Sequence, residues 1–208
     1  MPKMYVLTAR DVPTALILRR GPSAWFHLIL WDTLRDDFTH GAWFRGMIYW
    51  EKCDLSPDGH LFVYSAFKGN YHPTDAAFGG AYTAVSRPPW LFSLGVCHHD
   101  TTYGGGGRFV SNTELRASIL VPDPSRPGGR DNEIRSLKFV KSDLPVHHSS
   151  DEVANTDWCG RDQKDRVIYT RAGQLFRRIK HSDQVVADFT EFTPDPQPCP
   201  KWATVPVR

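Results

Sequence analysis

Val96-Cys97-His98-His99-Asp100 puts thiol, imidazole and carboxylate donors at four consecutive positions. These are the S, N and O ligands that zinc accepts. In an extended strand, alternation sends Cys97 and His99 to one face and His98 and Asp100 to the other, so at most two reach one ion. His147 and His148 are the residues that could complete such a site. Neither stretch carries a recognised metal-binding spacing. The expectation is therefore a polar strand end running into the loop Asp100–Gly107, with no metal and no cofactor.

A hydrolase needs a nucleophile, a base and an orienting acid. Ser, His and Asp are plentiful, but no Gly-x-Ser-x-Gly elbow is present. Asp36-Asp37 reads as solvated loop charge. Asp151-Glu152 suits the first turn of a short helix over 149–158, with Ser149 or Ser150 as its cap. Tyr103-Gly104-Gly105-Gly106-Gly107 could offer bare amides to an anion. It lacks the Lys-Ser or Lys-Thr ending of a phosphate loop, so positive φ or close backbone approach is the expected role. Catalysis borne on loops, of hydrolase type, is the alternative to a binding function.

Aromatic residues beside arginine are the stronger functional signal. Gly41–Trp50 sets Trp43, Phe44, Tyr49 and Trp50 around Arg45, and Ser86–Phe92 sets Trp90 after Arg87 and two prolines. Trp, Tyr and Arg combine large contact area with a polar tip and are favoured at protein interfaces. Trp43, Arg45, Arg87 and Trp90 fall at strand ends or turns and are the candidate binding surface. Trp25 and Trp31 fall within a strand and are expected to be structural. A protein partner is the leading expectation, and carbohydrate binding through exposed tryptophan is a further one.

The elements that must hold these residues are strands. The chain has 208 residues, a formal net charge of +2 and 16 each of Gly and Pro, which suits one turn-rich globular domain. Residues 1–104 hold nine basic and nine acidic residues, so no basic footprint for nucleic acid stands out. Arg177-Arg178-Ile179-Lys180 reads as a charged strand edge. No window of about 18 apolar residues points to a membrane helix. Four widely spaced cysteines and an N-terminus without an apolar core suggest free thiols in the cytoplasm.

Short runs rich in Val, Ile, Phe, Tyr and Trp recur at 4–9, 14–20, 25–32, 38–44, 60–66, 81–86, 91–97, 108–112, 166–170, 174–179 and 185–189. One helical turn is conceivable at 74–78. The segment 122–133 reads as a surface-loop insertion. The stretch Leu61–Ala66 is apolar at both alternating sets of positions, which predicts a strand covered on both faces. Gly59, Gly107 and Gly173 each precede or open a strand run. With Pro13, they mark four turn-then-strand units at intervals near the length of a propeller blade.

Ser56-Pro57-Asp58-Gly59 followed by Leu61–Tyr64, and Trp31-Asp32 at the end of a strand, resemble the repeats of β-propeller proteins. There an SPDG turn joins the first two strands of a blade and a Trp-Asp pair ends the third. The run from Leu18 to Asn112 also looks like that of a set of uncharacterised bacterial proteins. The resemblance implies an all-β fold, a small or irregular propeller of about four blades in a single domain over 1–208, with a β-sandwich as the alternative. It also implies that residues 4–9 close the ring onto the last unit, or that open units pair in a homodimer. A noncatalytic binding or scaffold module is the expected function.

Overall fold

The computed structural model describes residues 1–69, 80–99, 101–117, 137–141, 147–180 and 182–205. The segments 74–78 and 122–133 lie outside these residues, as does Asp100. The described fold is all-β, with strands in four sheets and two single turns of 3-10 helix at Trp50–Lys52 and Lys201–Thr204.

The first sheet runs β1 (Lys3–Thr8), β2 (Thr14–Arg20), β3 (Trp25–Asp32) and β4 (Asp37–Arg45) as an antiparallel meander. In the second, β5 (Met47–Ile48) and β6 (Asp54–Leu55) both pair with β7 (Phe62–Phe67), followed by β8 (Ala81–Ser86) and β9 (Gly95–His99). The third holds β10 (Gly107–Ser111), β11 (Glu114–Ala117) and β12 (Lys138–Lys141), with β12 parallel to β11. The fourth is β13 (Trp158–Arg161), β14 (Val167–Arg171), β15 (Gln174–Ile179) and β16 (Ser182–Asp188).

Alternation along the inner strands of the first and second sheets divides their side chains between two cores. On β2, Leu16 and Leu18 face the second sheet, while Ala15 and Ile17 face the fourth. On β7, Phe62, Tyr64 and Ala66 join the core shared with the first sheet, while Val63 and the preceding Leu61 join the core shared with the third. The expected two-sided burial of Leu61–Ala66 is what the fold shows, with every one of these residues buried. The sheets thus stack in the order fourth, first, second, third. Their first strands converge, with β1 touching β13, β14 and β6, and β6 touching β10.

The Ser56–Gly59 turn is fixed by its own side chains. Gly59 N–H donates to Ser56 O, while the Asp58 carboxylate takes Ser56 Oγ–H and His60 N–H. Gly59 sits at φ +73°, a region glycine enters at little cost. Asp11 N–H donates to Pro57 O, and Asp58 N–H donates to Asn112 Oδ1, so this turn joins three sheets.

Several sequence expectations change in three dimensions. The four marker positions are not equivalent. Pro13 and Gly59 precede second strands, Gly107 opens a first strand, and Gly173 lies in the turn between β14 and β15. The fourth sheet has its own first strand, β13, and β1 pairs with β2 throughout, Lys3 opposite Arg20 to Thr8 opposite Ala15. β1 meets the fourth sheet through a side-chain bond instead, as Thr170 Oγ1 on β14 donates to Met4 O. Residues 149–158 form no helix. Ser149 Oγ accepts Cys159 N–H, Ser150 N–H donates to Cys159 O, and Asn155 turns the chain at φ +58°. The expected strand 91–97 starts at Gly95.

Asp36 and Arg177 are not solvated loop and edge charges. Arg177 is 5% exposed and forks onto both Asp36 oxygens at 2.7 and 2.8 Å, across the first and fourth sheets. Trp31 Nε1–H donates to the same carboxylate, and the Arg177 guanidinium lies over the Trp31 ring. Arg177 holds the Asp36 carboxyl below the usual carboxylate range. A depressed folded value stabilises above the unfolded one, near 4, and that contribution disappears as the pH falls through the folded value. Asp36→Asn is expected to cost about 2 kcal/mol at pH 7, below the fully buried range because this carboxylate is one-third exposed. Urea melts should show the gap to wild type narrowing below about pH 4.

Candidate functional site

A cavity of about 170 Å³ opens where the first strands of three sheets meet. It exists because the inner strand of the second sheet is broken. The 3-10 turn at Trp50–Lys52 separates β5 from β6 and turns backbone carbonyls out of the ladder. Arg108 takes Glu51 O at 2.7 Å and Cys53 O at 2.6 Å, and His147 N–H takes Glu51 O at 2.8 Å. Those bonds bring His147 against β6. The cavity is walled by Trp50 and Trp158 and edged by Asp54, His147, His148 and Ser150.

Its polar groups are mostly engaged. Asp54, 7% exposed, accepts Phe109 N–H through Oδ2, and its Oδ1 lies 3.6 Å from His147 Nε2, which has no hydrogen-bond partner. Trp50 stacks on Tyr5 with ring centres 4.8 Å apart. Ser149 and Ser150 spend their oxygens on the backbone amides of Cys159 and Glu152. Burial pushes the Cys159 thiol up, and the Cys53 thiol behind Asp54 up to about 12, so neither is a nucleophile near neutral pH.

The expected metal ligands are not gathered here. His98 and His99 lie on β9, three strand spacings or about 14 Å from β6. Among the described residues, no group of three or more His, Cys, Asp or Glu side chains could hold a metal ion. His147 and His148 share the cavity rim with Asp54. The glycine loop contributes close approach, as expected, but to a cation: Lys52 Nζ donates to Thr102, Tyr103 and Gly104 carbonyls at 2.8, 2.8 and 3.1 Å. A Cβ at Gly106, φ +88°, would fall 2.2 Å from Lys52 O.

The four candidate binding residues lie in two segments joined at the backbone, with Ala42 N–H donating to Pro89 O at 2.9 Å. Trp43 is half-buried on the face of the first sheet turned toward the fourth. It stacks on His27 at 4.2 Å, and the Arg19 guanidinium lies 5.9 Å from its ring centre. Arg45 is exposed opposite Trp25. Arg87 donates to Val205 O, and Trp90 is half-buried in the turn after β8. Sequence reading missed the continuation of this stack through His40 and Phe192, because Phe192 is reached only through the chain's path after β16.

The chain matches no family model, no curated protein and no solved structure. No helix among the described residues is long and apolar enough to cross a membrane.

His27 makes the aromatic stack sensitive to acid. It is 2% exposed, and burial, then His40 and Arg19, push its imidazole down to about 3. The unfolded chain protonates this histidine near 6.5, so the stability that neutral His27 contributes is present above that pH and declines toward 3. Lowering the pH from 7.5 to 5 is expected to remove about 2 kcal/mol through His27. His27→Phe should lose about that much less over the same interval in paired urea melts.

Proposed function

We propose that the chain is a noncatalytic binding module, built as a small four-bladed propeller and acting on a protein partner in the cytoplasm. Four sheets stacked face to face with converging first strands, the first and fourth of them antiparallel meanders, support the propeller reading. Buried clusters bridge three of the junctions such a ring would have. The observation that carries the binding reading is the aromatic-walled cavity at that convergence, with its Ser150 hydroxyl spent on the Glu152 amide and its Cys159 thiol pushed up by burial. Its size suits one inserted side chain. Trp43, Arg45, Arg87 and Trp90 are the proposed outer contact surface. The Asp54–His147 pair is the observation that favours the second reading, a hydrolase.

Affinity capture with quantitative mass spectrometry separates the two readings. Proteins retained by wild type should be lost with His148→Trp, which fills the cavity mouth, while the melting midpoint stays within about 2 °C. Ester hydrolysis above that of free imidazole, and lost in His147→Gln, would establish the hydrolase instead. Trp90→Ala should weaken the captured complex by about 2 kcal/mol with little change in stability. A folding loss of about 3–5 kcal/mol would place Trp90 in the core.

A further inference from the structure

Among the described residues that line the central cavity, Asp54 carries the only formal charge when the histidines are neutral. It is 7% exposed, and a buried carboxylate is costly unless its oxygens are matched. Oδ2 is matched by Phe109 N–H at 2.8 Å. Oδ1 makes no hydrogen bond among the described residues. His147 Nε2 stands 3.6 Å from it, beyond hydrogen-bond length. That nitrogen is itself buried and without a partner. In the Nδ1–H tautomer it is an acceptor, so two unused acceptors lie side by side at one cavity.

Arg108 offsets part of the Asp54 charge through space, but it gives Oδ1 no hydrogen to accept. Its guanidinium donates to the carbonyls of Cys53, Glu51 and Gly107 at 2.6, 2.7 and 2.9 Å, and it stands outside the cavity lining. The rest of the lining is apolar or engaged. Val6 and Leu7 on β1 present hydrocarbon, and Trp50 and Trp158 bring indoles from the second and fourth sheets. Ser150 Oγ accepts Glu152 N–H.

We propose, taking the binding reading as given, that the side chain this cavity receives from its protein partner is basic, arginine in preference to lysine. A guanidinium carries N–H groups in a fixed fork and can serve Asp54 Oδ1 and His147 Nε2 together, where an ammonium acts as a point charge. The hydrocarbon stem of such a residue suits an apolar wall beside a polar group. Indole walls suit the guanidinium as well, since it stacks on aromatic rings. A volume of about 170 Å³ is below the range of small-molecule sites and leaves room for one side chain.

The test is a ligand-observed NMR titration of the full chain at pH 8 and low ionic strength. The probes are N-acetyl-arginine methylamide, its lysine counterpart and the neutral citrulline isostere. The arginine probe is expected to bind saturably, and citrulline about tenfold more weakly or worse, the worth of a charge-assisted hydrogen bond. The lysine probe should fall between them. Asp54→Asn, whose amide oxygen still accepts Phe109 N–H, should weaken the arginine probe by about tenfold or more and leave citrulline unchanged. His148→Trp, with Asp54 intact, should abolish binding of all three. No saturable arginine binding, citrulline binding as tightly as arginine, or an arginine probe indifferent to both variants would overturn the proposal. Affinity capture separates this inference from the reading beneath it. Partners lost with His148→Trp but retained with Asp54→Asn insert a side chain of another kind, so the basic side chain fails and the binding module stands. Partners retained by both variants remove the binding reading and the basic side chain with it.

Discussion

The first sheet keeps both faces of its inner strands from water, and the other sheets are arranged by that constraint. β1, β2 and β3 carry apolar side chains at successive positions, so each face must be covered by another sheet. The second sheet covers one face and the fourth the other. The second is in turn buried on both faces by the first and third. Stacking propagates through the first and second sheets because each carries apolar residues on both faces. The sheets' first strands are brought together at one line as a consequence, and the broken inner strand of the second sheet leaves its gap there.

The same constraint governs the polar residues. A charge that falls between stacked sheets must be matched where it lies, since an unpaired buried charge costs several kcal/mol. Arg177 meets Asp36 across the first and fourth sheets, and Arg166 binds Asp162 while reaching Thr33 O. Elsewhere the match is made by backbone carbonyls. Arg19, Lys52 and Arg108 each gather three or four of them from turns and strand ends. Carbonyls in turns have no ladder partner, so a cation placed among them satisfies both. This joins segments far apart in sequence into fixed corners.

The sequence by itself determined the strands whose evidence is local. Thr14–Arg20, Trp25–Asp32, Ala81–Ser86 and Gln174–Ile179 have the bounds their residue types dictate, because β-branched and aromatic runs end at Gly, Pro or Asp turns. Two-sided burial of Leu61–Ala66 was legible for the same reason, and so was the close backbone approach at the glycine loop. Only the tertiary structure decided what lay beyond local chemistry. β11, β12 and β13 are short and weakly patterned, and their pairing partners supply what their propensity lacks. Ser149–Trp158 has the cap and acid of a helix start, yet bonds to Cys159 and the turn at Asn155 hold it in an irregular bend. The cavity was not legible, since His147 is brought against Asp54 by a carbonyl that a 3-10 turn exposes. Asp36 and Arg177 are 141 residues apart. A charge in a loop and a charge on an edge read as solvated one at a time, and they become one pair, the arginine buried and the carboxylate half-buried, only when two sheets close over them.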